Sequence, residues 1–460
     1  MATETPAHTL DGPPDVSPET LVERAAALRD LIREQADKAE ELGHYTPEVH
    51  EAFKEAGFYH LLTPKRYGGL DVDVRTFARV IMEVGRADPG TAWCLCLGQG
   101  HGLSTAANWP KQAQDEVFTN ALGYFRASQS LSPAGTAQRV EGGWLINAKS
   151  PYQSGSAYAS HVTVTVKVVD EKTADETAEN ATSAVPSNAR AGAPLPPGAP
   201  SGGPGRPRRL PGAPEPMLHV LIPAGQFEIE DDWGGDAVFG MRSSGSNTVV
   251  VKDQVVPEYY GVYGDFMELA PDTEHKATSP GLELHGNPLY LPSVHLVFFS
   301  VELASSVIGA ARAALDESER LARTKITLLP RRGPRYKDML YQRDFGQAMM
   351  KADSAEAIMM HACDLHAQWC RDDVENVRPY TTQQAQRVGA MMVEAAESAC
   401  QAVDILFRSA GTSASGRGQR MQRYLRDVSM YRTHIATQYH TTAQRLGESR
   451  LDPVPFPPAP

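Results

Sequence analysis

The sequence contains no Cys-x-x-Cys pair and no cysteine and histidine spacing of the kind that holds zinc. Its five cysteines, Cys94, Cys96, Cys363, Cys370 and Cys400, are odd in number and read as free thiols of a reducing cytoplasm. Positive charge is scarce. With 44 basic against 56 acidic residues, the formal net charge of −12 argues against a phosphate-backbone partner, and so against nucleic-acid binding. The opening residues, MATETPAHTLDGPPDVSP, lack the basic-then-apolar order of a secretory signal, and 1–16 are expected to be a disordered lead. The longest apolar stretch, SVHLVFFSVELASSVIGAA, carries His295 and Glu302 and fits a buried helix better than a membrane span. No internal repeat is present, and the glycine-rich segment GTSASGRGQR matches neither a P-loop nor a dinucleotide fingerprint. These absences predict a soluble protein with neither nucleic acid nor membrane as a partner.

At 460 residues and 41% hydrophobic content, the chain is long enough for two or three packed units and can enclose a large ligand. Helix signals dominate residues 17–120. Ser17 before Pro18 opens a helix through SPETLVERAAALRDLIREQADKAEELG, and Thr46 before Pro47 opens a second that Gly57 stops. VRTFARVIMEVGRADPG reads as a third, ended by Pro89 and Gly90. Residues 121–260 change character. HVTVTVKVV, MLHVLIP and NTVVVKDQVVP are β-branched runs bounded by turn residues, which predicts a middle β-domain. Residues 170–216 interrupt it without a single aromatic side chain, and such a proline- and glycine-rich composition is expected to form a disordered loop. Long apolar-faced helices return over 261–450 and predict a C-terminal four-helix bundle, with the paired methionines at 349 and 350, 359 and 360, and 391 and 392 filling its core. LDPVPFPPAP, over 451–460, reads as a tail. The fold class is therefore α+β: helical domain, β-domain, helical bundle.

Particular strings carry a family resemblance. GFYHLLTPKRYGGLDVD, GTAWCLCLGQGHG, SQSLSPAGTAQRVEGGWLINAKSPYQSGS with Gly142 and Gly143 in a hairpin turn, GMRSSGSNTVVVKDQVVP and RMQRYLRDV together resemble the acyl-CoA dehydrogenase superfamily over roughly 20–450. The resemblance implies an acyl-CoA dehydrogenase-like fold. Its dehydrogenase branch uses a glutamate soon after the Arg-Asp pair as base. Here Arg426 and Asp427 are followed by His434, and no Asp or Glu occurs from Val428 to Arg445. A histidine at that spacing resembles the branch of two-component (group D) flavin-dependent monooxygenases. That branch reacts reduced flavin with O2 to form a hydroperoxide on the ring and transfers its terminal oxygen to a substrate.

The resemblance implies roles for particular residues. His434 would serve as substrate base or as hydrogen-bonding partner of the peroxide, against a plain structural histidine at a helix end. Ser154 would approach the central ring nitrogen, with Gly155 letting the backbone come close; both also suit a strand-end turn. Trp93 and His101 would lie near isoalloxazine and substrate, although a histidine among glycines is as often a loop residue. Ser130, Ser132 and Thr136 would donate to the flavin or else cap turns around Pro133. Arg242, Ser243 and Ser246 would approach the flavin on later strands, with Arg242 holding phosphate or bracing a subunit contact. Gly411 and Thr412 would contact flavin from the last glycine-rich segment.

The implied function is the oxygenase component of a two-component monooxygenase that hydroxylates a small aromatic or phenolic compound. Its cofactor would be noncovalent reduced FMN or FAD, with O2 as co-substrate, and its partners a separate NAD(P)H-dependent flavin reductase and further copies of the chain, as a homo-oligomer and by resemblance a tetramer. The rival readings are acyl-CoA dehydrogenase-like oxidation with a base from elsewhere, N-oxygenation of an amine, and a catalytically silent flavin-binding protein.

Overall fold

A computed structural model describes residues 16–169, 217–264, 278–291, 295–328 and 332–451. The expected loop at 170–216 lies outside the described residues, as do most of the lead and tail. Helices form where cap chemistry starts them. Ser17, Thr46, Asp73 and Asp88 each accept a hydrogen bond from a backbone N–H of the first helical turn. The long first helix divides at Leu28 into Pro18–Ala27 and Arg29–Leu42. Pro89 and Gly90 do not end a helix, contrary to the reading above. The third helix stops at Gly85, and Pro89 takes the first position of a new 20-residue helix, Pro89–Asn108, because the proline nitrogen needs no acceptor there.

Seven strands make one mixed sheet in the order Glu228–Ile229, Val249–Val256, Gly143–Ser150, Ala127–Val140, His161–Val169, Leu218–Pro223, Gly261–Tyr263. Ala127–Val140 runs parallel to His161–Val169, and the other neighbours are antiparallel. Two register shifts bracket Pro133, which lacks the N–H a regular ladder needs. The last strand, Gly261–Tyr263, carries the sheet past the expected boundary at 260 by pairing with Leu218–Val220.

His295–Thr324, Met339–Val374, Thr382–Ala410 and Arg420–Tyr431 form the bundle. His295–Thr324 is its central member. It contacts the other three and also Val74–Gly85 and Pro89–Asn108, so the apolar stretch is a core helix. The methionines divide. Met359 and Met392 are buried while their neighbours Met360 and Met391 are only half-buried, since adjacent positions on a helix point about 100° apart and cannot both face the core; Met349 and Met350 are both exposed and do not fill it, contrary to the expectation.

Two glycines set how closely the helical parts join. A Cβ on Gly309 would lie 2.4 Å from the Met82 carbonyl oxygen, and one on Gly85 2.7 Å from that of Ser306. Neither backbone atom can move aside as a flexible side chain would. Gly309→Ala is expected to destabilise the protein by roughly 1–3 kcal/mol through overpacking. Gly346→Ala, in the Met339–Val374 helix with open space at its Cβ, should stabilise by about 0.5–1 kcal/mol. Thermal unfolding of the two variants checks both signs.

Candidate active site

Side chains from all three parts of the chain meet at one junction. Trp93, on the Pro89–Asn108 helix, donates from Nε1 to Ser154 Oγ at 3.3 Å. Ser154, in the turn after Gly143–Ser150, shares a 2.7 Å hydrogen bond with Ser246 Oγ, which shares another of 2.7 Å with Ser244 Oγ. From the bundle, the His434 ring meets the Trp93 ring edge-on at 5.5 Å, and Tyr431 does so at 6.3 Å. Of the residues the sequence nominates, the fold thus brings together Trp93, Ser154, Ser246 and His434.

The Arg-Asp pair holds the bundle side of this junction. Arg426 NH2 donates to Glu40 Oε1 at 2.6 Å and NH1 to the Phe239 carbonyl at 3.1 Å. Buried Asp427 accepts from the Met241 backbone N–H at 2.7 Å. Arg423 adds an ion pair with Asp37. The final bundle helix is thereby fastened to the first helical domain and to the loop before Ser243, and it ends on Tyr431.

His434 then caps the short helix Ile435–Thr437, where its Nδ1 accepts from the Ala436 N–H at 3.2 Å. An accepting Nδ1 leaves the proton on Nε2 in the neutral ring. Burial lowers the pKa of this half-buried histidine below the ordinary 6.5, so the neutral ring prevails at pH 7.

His101 is not a loop residue. It sits in mid-helix, 4% exposed, with Nδ1 3.0 Å from the Ala127 carbonyl oxygen. Burial lowers its pKa to about 4, the nearby Arg126 acting in the same direction. Its ring faces Phe299 at 5.8 Å, behind the junction. Gly155 takes φ +79, and a Cβ there would come 2.9 Å from Gly98 N and 3.0 Å from the Cys94 oxygen. Its glycine is required by close packing on the Pro89–Asn108 helix.

Other nominated residues stand apart. Ser130, Ser132 and Thr136 lie along Ala127–Val140, with Ser132 exposed beside the Pro133 irregularity, and among the described residues no hydrogen bond joins their side chains to the junction. Ser243 is buried and donates to Asp88 Oδ2 at 2.7 Å. Arg242 turns to the Val238 carbonyl and Asp236. Gly411 and Thr412 follow the Thr382–Ala410 helix near Arg335, which donates to the Ala410 carbonyl at 2.7 Å.

A cavity of about 380 Å³ is lined by Asp37, Glu40, Arg242, Arg417, Gln422 and Arg426 among others, and it shares no residue with the junction. Charges among its lining pair with one another, as Arg426 does with Glu40, and no aromatic side chain lines it. The junction, by contrast, combines aromatic rings with convergent uncharged donors.

Three residues there were not nominated from the sequence. Tyr152, two residues before Ser154, is 66% exposed and held at φ +59. An aromatic ring presented to solvent in a left-handed conformation can stack on a planar ligand. Gln129, on the strand that Ser154's turn approaches through the 2.7 Å bond between Ser128 and Gln153, is buried with its amide Nε2 unpartnered. Arg126 is fully buried behind the turn. Nothing in SPYQSGS or GYFRASQ announces a positive φ or a buried cation. The indole and the chain of hydroxyls at the junction, with the exposed Tyr152 ring edge-on to Trp233 and the unpartnered Gln129 amide on neighbouring segments, are groups that suit a flavin ring.

The sequence matches two families, "Acyl-CoA dehydrogenase, N-terminal domain" over residues 20–122 and "Acyl-CoA dehydrogenase, C-terminal domain" over residues 301–439. It is 26% identical over 427 residues to the flavin-dependent monooxygenase, oxygenase subunit HsaA, of Rhodococcus jostii (strain RHA1), covering 90% of this chain and 94% of that one. It is 24% identical over 449 residues to the p-hydroxyphenylacetate 3-hydroxylase, oxygenase component, of Acinetobacter baumannii, covering 96% and 92%. Among solved structures, XiaF from Streptomyces sp., in complex with FADH2 and glycerol, shares the fold with a TM-score of 0.76 at 24% identity, covering 96% of this chain and 98% of that one. With matched segments that together span more than half of its length and flank the central sheet, the chain belongs to the acyl-CoA dehydrogenase family.

Proposed function

We propose that this protein is the oxygenase component of a two-component flavin-dependent monooxygenase, which uses reduced flavin and O2 to hydroxylate a small aromatic or phenolic substrate. One observation carries the reading. At the junction of the three parts, where the helix carrying Arg426 and Asp427 ends, an uncharged imidazole meets Trp93, which itself bonds Ser154, and no carboxylate occurs from Val428 to Arg445. A dehydrogenase base has to remove a carbon-bound proton, and the group present is not the carboxylate its relatives use. The names of the relatives, an HsaA oxygenase subunit and a p-hydroxyphenylacetate 3-hydroxylase oxygenase component, support the same reaction class.

Noncovalent FMN or FAD would be held by Trp93, Tyr152, Ser154 and Ser246; when bound, the reduced ring supplies the electrons that activate O2. The chain's own groups do the rest. Tyr152 and Trp93 provide the aromatic faces, Ser154 orients its hydroxyl through bonds to Trp93 and Ser246, and Tyr431 closes the side toward the bundle. His434 has its Nδ1 committed to Ala436, so it presents Nε2–H and acts at pH 7 as a donor to oxygen, not as a base.

A separate NAD(P)H-dependent reductase supplies the flavin. The chain assembles as a homotetramer in the cytoplasm. Met339, Leu340 and Met350, 81%, 50% and 71% exposed on one long helix, support a contact between copies through the bundle. The buried free thiols support a reducing compartment.

The purified chain, mixed with a small phenol, chemically reduced FMN or FAD and 18O2, is expected to yield a hydroxylated product carrying one labelled oxygen, the other leaving as water. Anaerobic bleaching of its bound oxidised flavin by a fatty acyl thioester would instead establish the dehydrogenase reaction. His434→Ala should bind flavin like the wild type yet divert O2 to hydrogen peroxide. His434→Gln, which keeps an amide N–H near the Nε2 position, should recover part of the product yield; equal loss in both variants would show that His434 acts as a base. Because burial holds the folded-state pKa of His434 below the ordinary 6.5, the ring is mostly neutral at pH 6.5 and more so at every higher pH. Product formed per flavin oxidised should therefore keep more than half of its value as the pH falls from about 8 to 6.5, and peroxide assays across that range check it.

A further inference from the structure

Arg126 opens the strand region of the sheet with no exposed surface. One guanidinium nitrogen, NH2, donates to the carbonyls of Cys94 at 3.3 Å, Gly155 at 3.2 Å and Ala157 at 3.3 Å. Nε and NH1 have no hydrogen-bond partner, and no carboxylate among the described residues pairs with the group. The rings of Tyr59 and Tyr45 lie 4.8 and 5.5 Å from its central carbon. Gly98 makes room for it, since a Cβ there would stand 2.6 Å from that carbon.

An isolated buried charge is among the costliest features a fold can retain, and carbonyl dipoles and aromatic faces offset it only in part. The other unpartnered ionisable group against the same helix does not balance it. Glu302 is fully buried with both carboxyl oxygens unbonded, set against Gly100, and burial raises its pKa well above the carboxylate range, so it is neutral. A net positive charge therefore remains behind the turn that carries Ser154. The Gly155 carbonyl that Arg126 holds belongs to the residue after Ser154, whose hydroxyl bonds Trp93 on the opposite side.

We propose that Arg126 is the counter-charge by which this site selects the reduced, anionic flavin over the oxidised, neutral one. The inference rests on the flavin reading above. An oxidised isoalloxazine is uncharged, whereas the two-electron-reduced ring loses its N1 proton near neutral pH and becomes an anion. A fixed cation inside a water-poor interior distinguishes the two with no difference in shape. An oxygenase supplied by another protein gains from this bias, because it captures the flavin that can react and releases the flavin that cannot. Arg126 acts at a distance from the reacting atoms and is a positioning residue for charge. A purely structural role, stapling the turn to the Pro89–Asn108 helix, would weaken binding of both flavin forms equally.

The test measures dissociation constants of the full chain for FMN and FAD, oxidised in air and reduced under anaerobic conditions. Wild type is expected to favour the reduced form. Arg126→Met should lower that preference about tenfold, and Arg126→Lys, which keeps the charge but not the three carbonyl bonds, should hold it within about twofold of wild type. An unchanged preference in R126M overturns the inference, whatever the loss in overall affinity. Should R126M fail to fold, an anaerobic pH titration of wild-type-bound reduced FMN decides. Loss of the N1 proton at lower pH than in free reduced FMN supports the inference, and loss at the same pH overturns it. Wild-type protein that binds neither form of either flavin would overturn the proposed function itself, and this inference with it.

Discussion

The fastening of the last bundle helix by Arg426 and Asp427 is the constraint on which the candidate site depends. A buried ion pair is not by itself a source of stability, because desolvating both groups cancels much of their attraction. What Arg426, Asp427, Glu40 and the Phe239 and Met241 backbone supply is direction: three segments far apart in sequence can satisfy all these groups in only one relative placement. That placement ends the helix on Tyr431 and sets His434 edge-on to Trp93. A shift of one helical turn would separate the imidazole from the indole by about 5 Å.

The Pro89–Asn108 helix is the shared wall of this arrangement. It carries Trp93 toward the junction and His101 away from it, and its small residues let neighbours approach its backbone closely. Gly98 admits the guanidinium of Arg126, Gly100 admits the carboxyl of Glu302, and the Gly155 turn packs on Cys94 and Gly98. Glycine lowers helix propensity by about 1 kcal/mol per residue, so a glycine-rich helix this deeply buried persists through tertiary packing. The opposite charge states of the two buried groups follow from their chemistry. A guanidinium cannot be neutralised in a protein, whereas an unpaired carboxyl escapes the cost of burial by keeping its proton.

Much of this architecture was legible in advance. Cap residues before prolines located the helices, β-branched runs located the strands, and the Arg-Asp pair followed by histidine marked the end of the bundle that meets Trp93. Four nominated residues, Trp93, Ser154, Ser246 and His434, converge as expected. Others were misread for identifiable reasons. Pro89 looked like a terminator because proline serves at both ends of helices. His101, nominated beside Trp93 for a place near substrate, instead turns its ring to Phe299 and its Nδ1 to the Ala127 carbonyl, because mid-helix packing sets its direction. Ser243 carries the same hydroxyl as Ser246, yet it turns to Asp88, a choice made by backbone geometry three residues away.

By itself the sequence determined the order of helical, β and helical parts, the family, and the presence of a histidine and absence of any carboxylate after Asp427 as far as Arg445, since periodicity, cap chemistry and residue identity are local properties. Only the tertiary structure decided that Tyr152 is held out at positive φ, that His434 presents Nε2–H, and that Arg126 is buried with no carboxylate partner among the described residues. Each depends on which atoms from distant segments come within a few ångströms, and on how much water they exclude. Those are properties of packing that no local pattern of residues encodes.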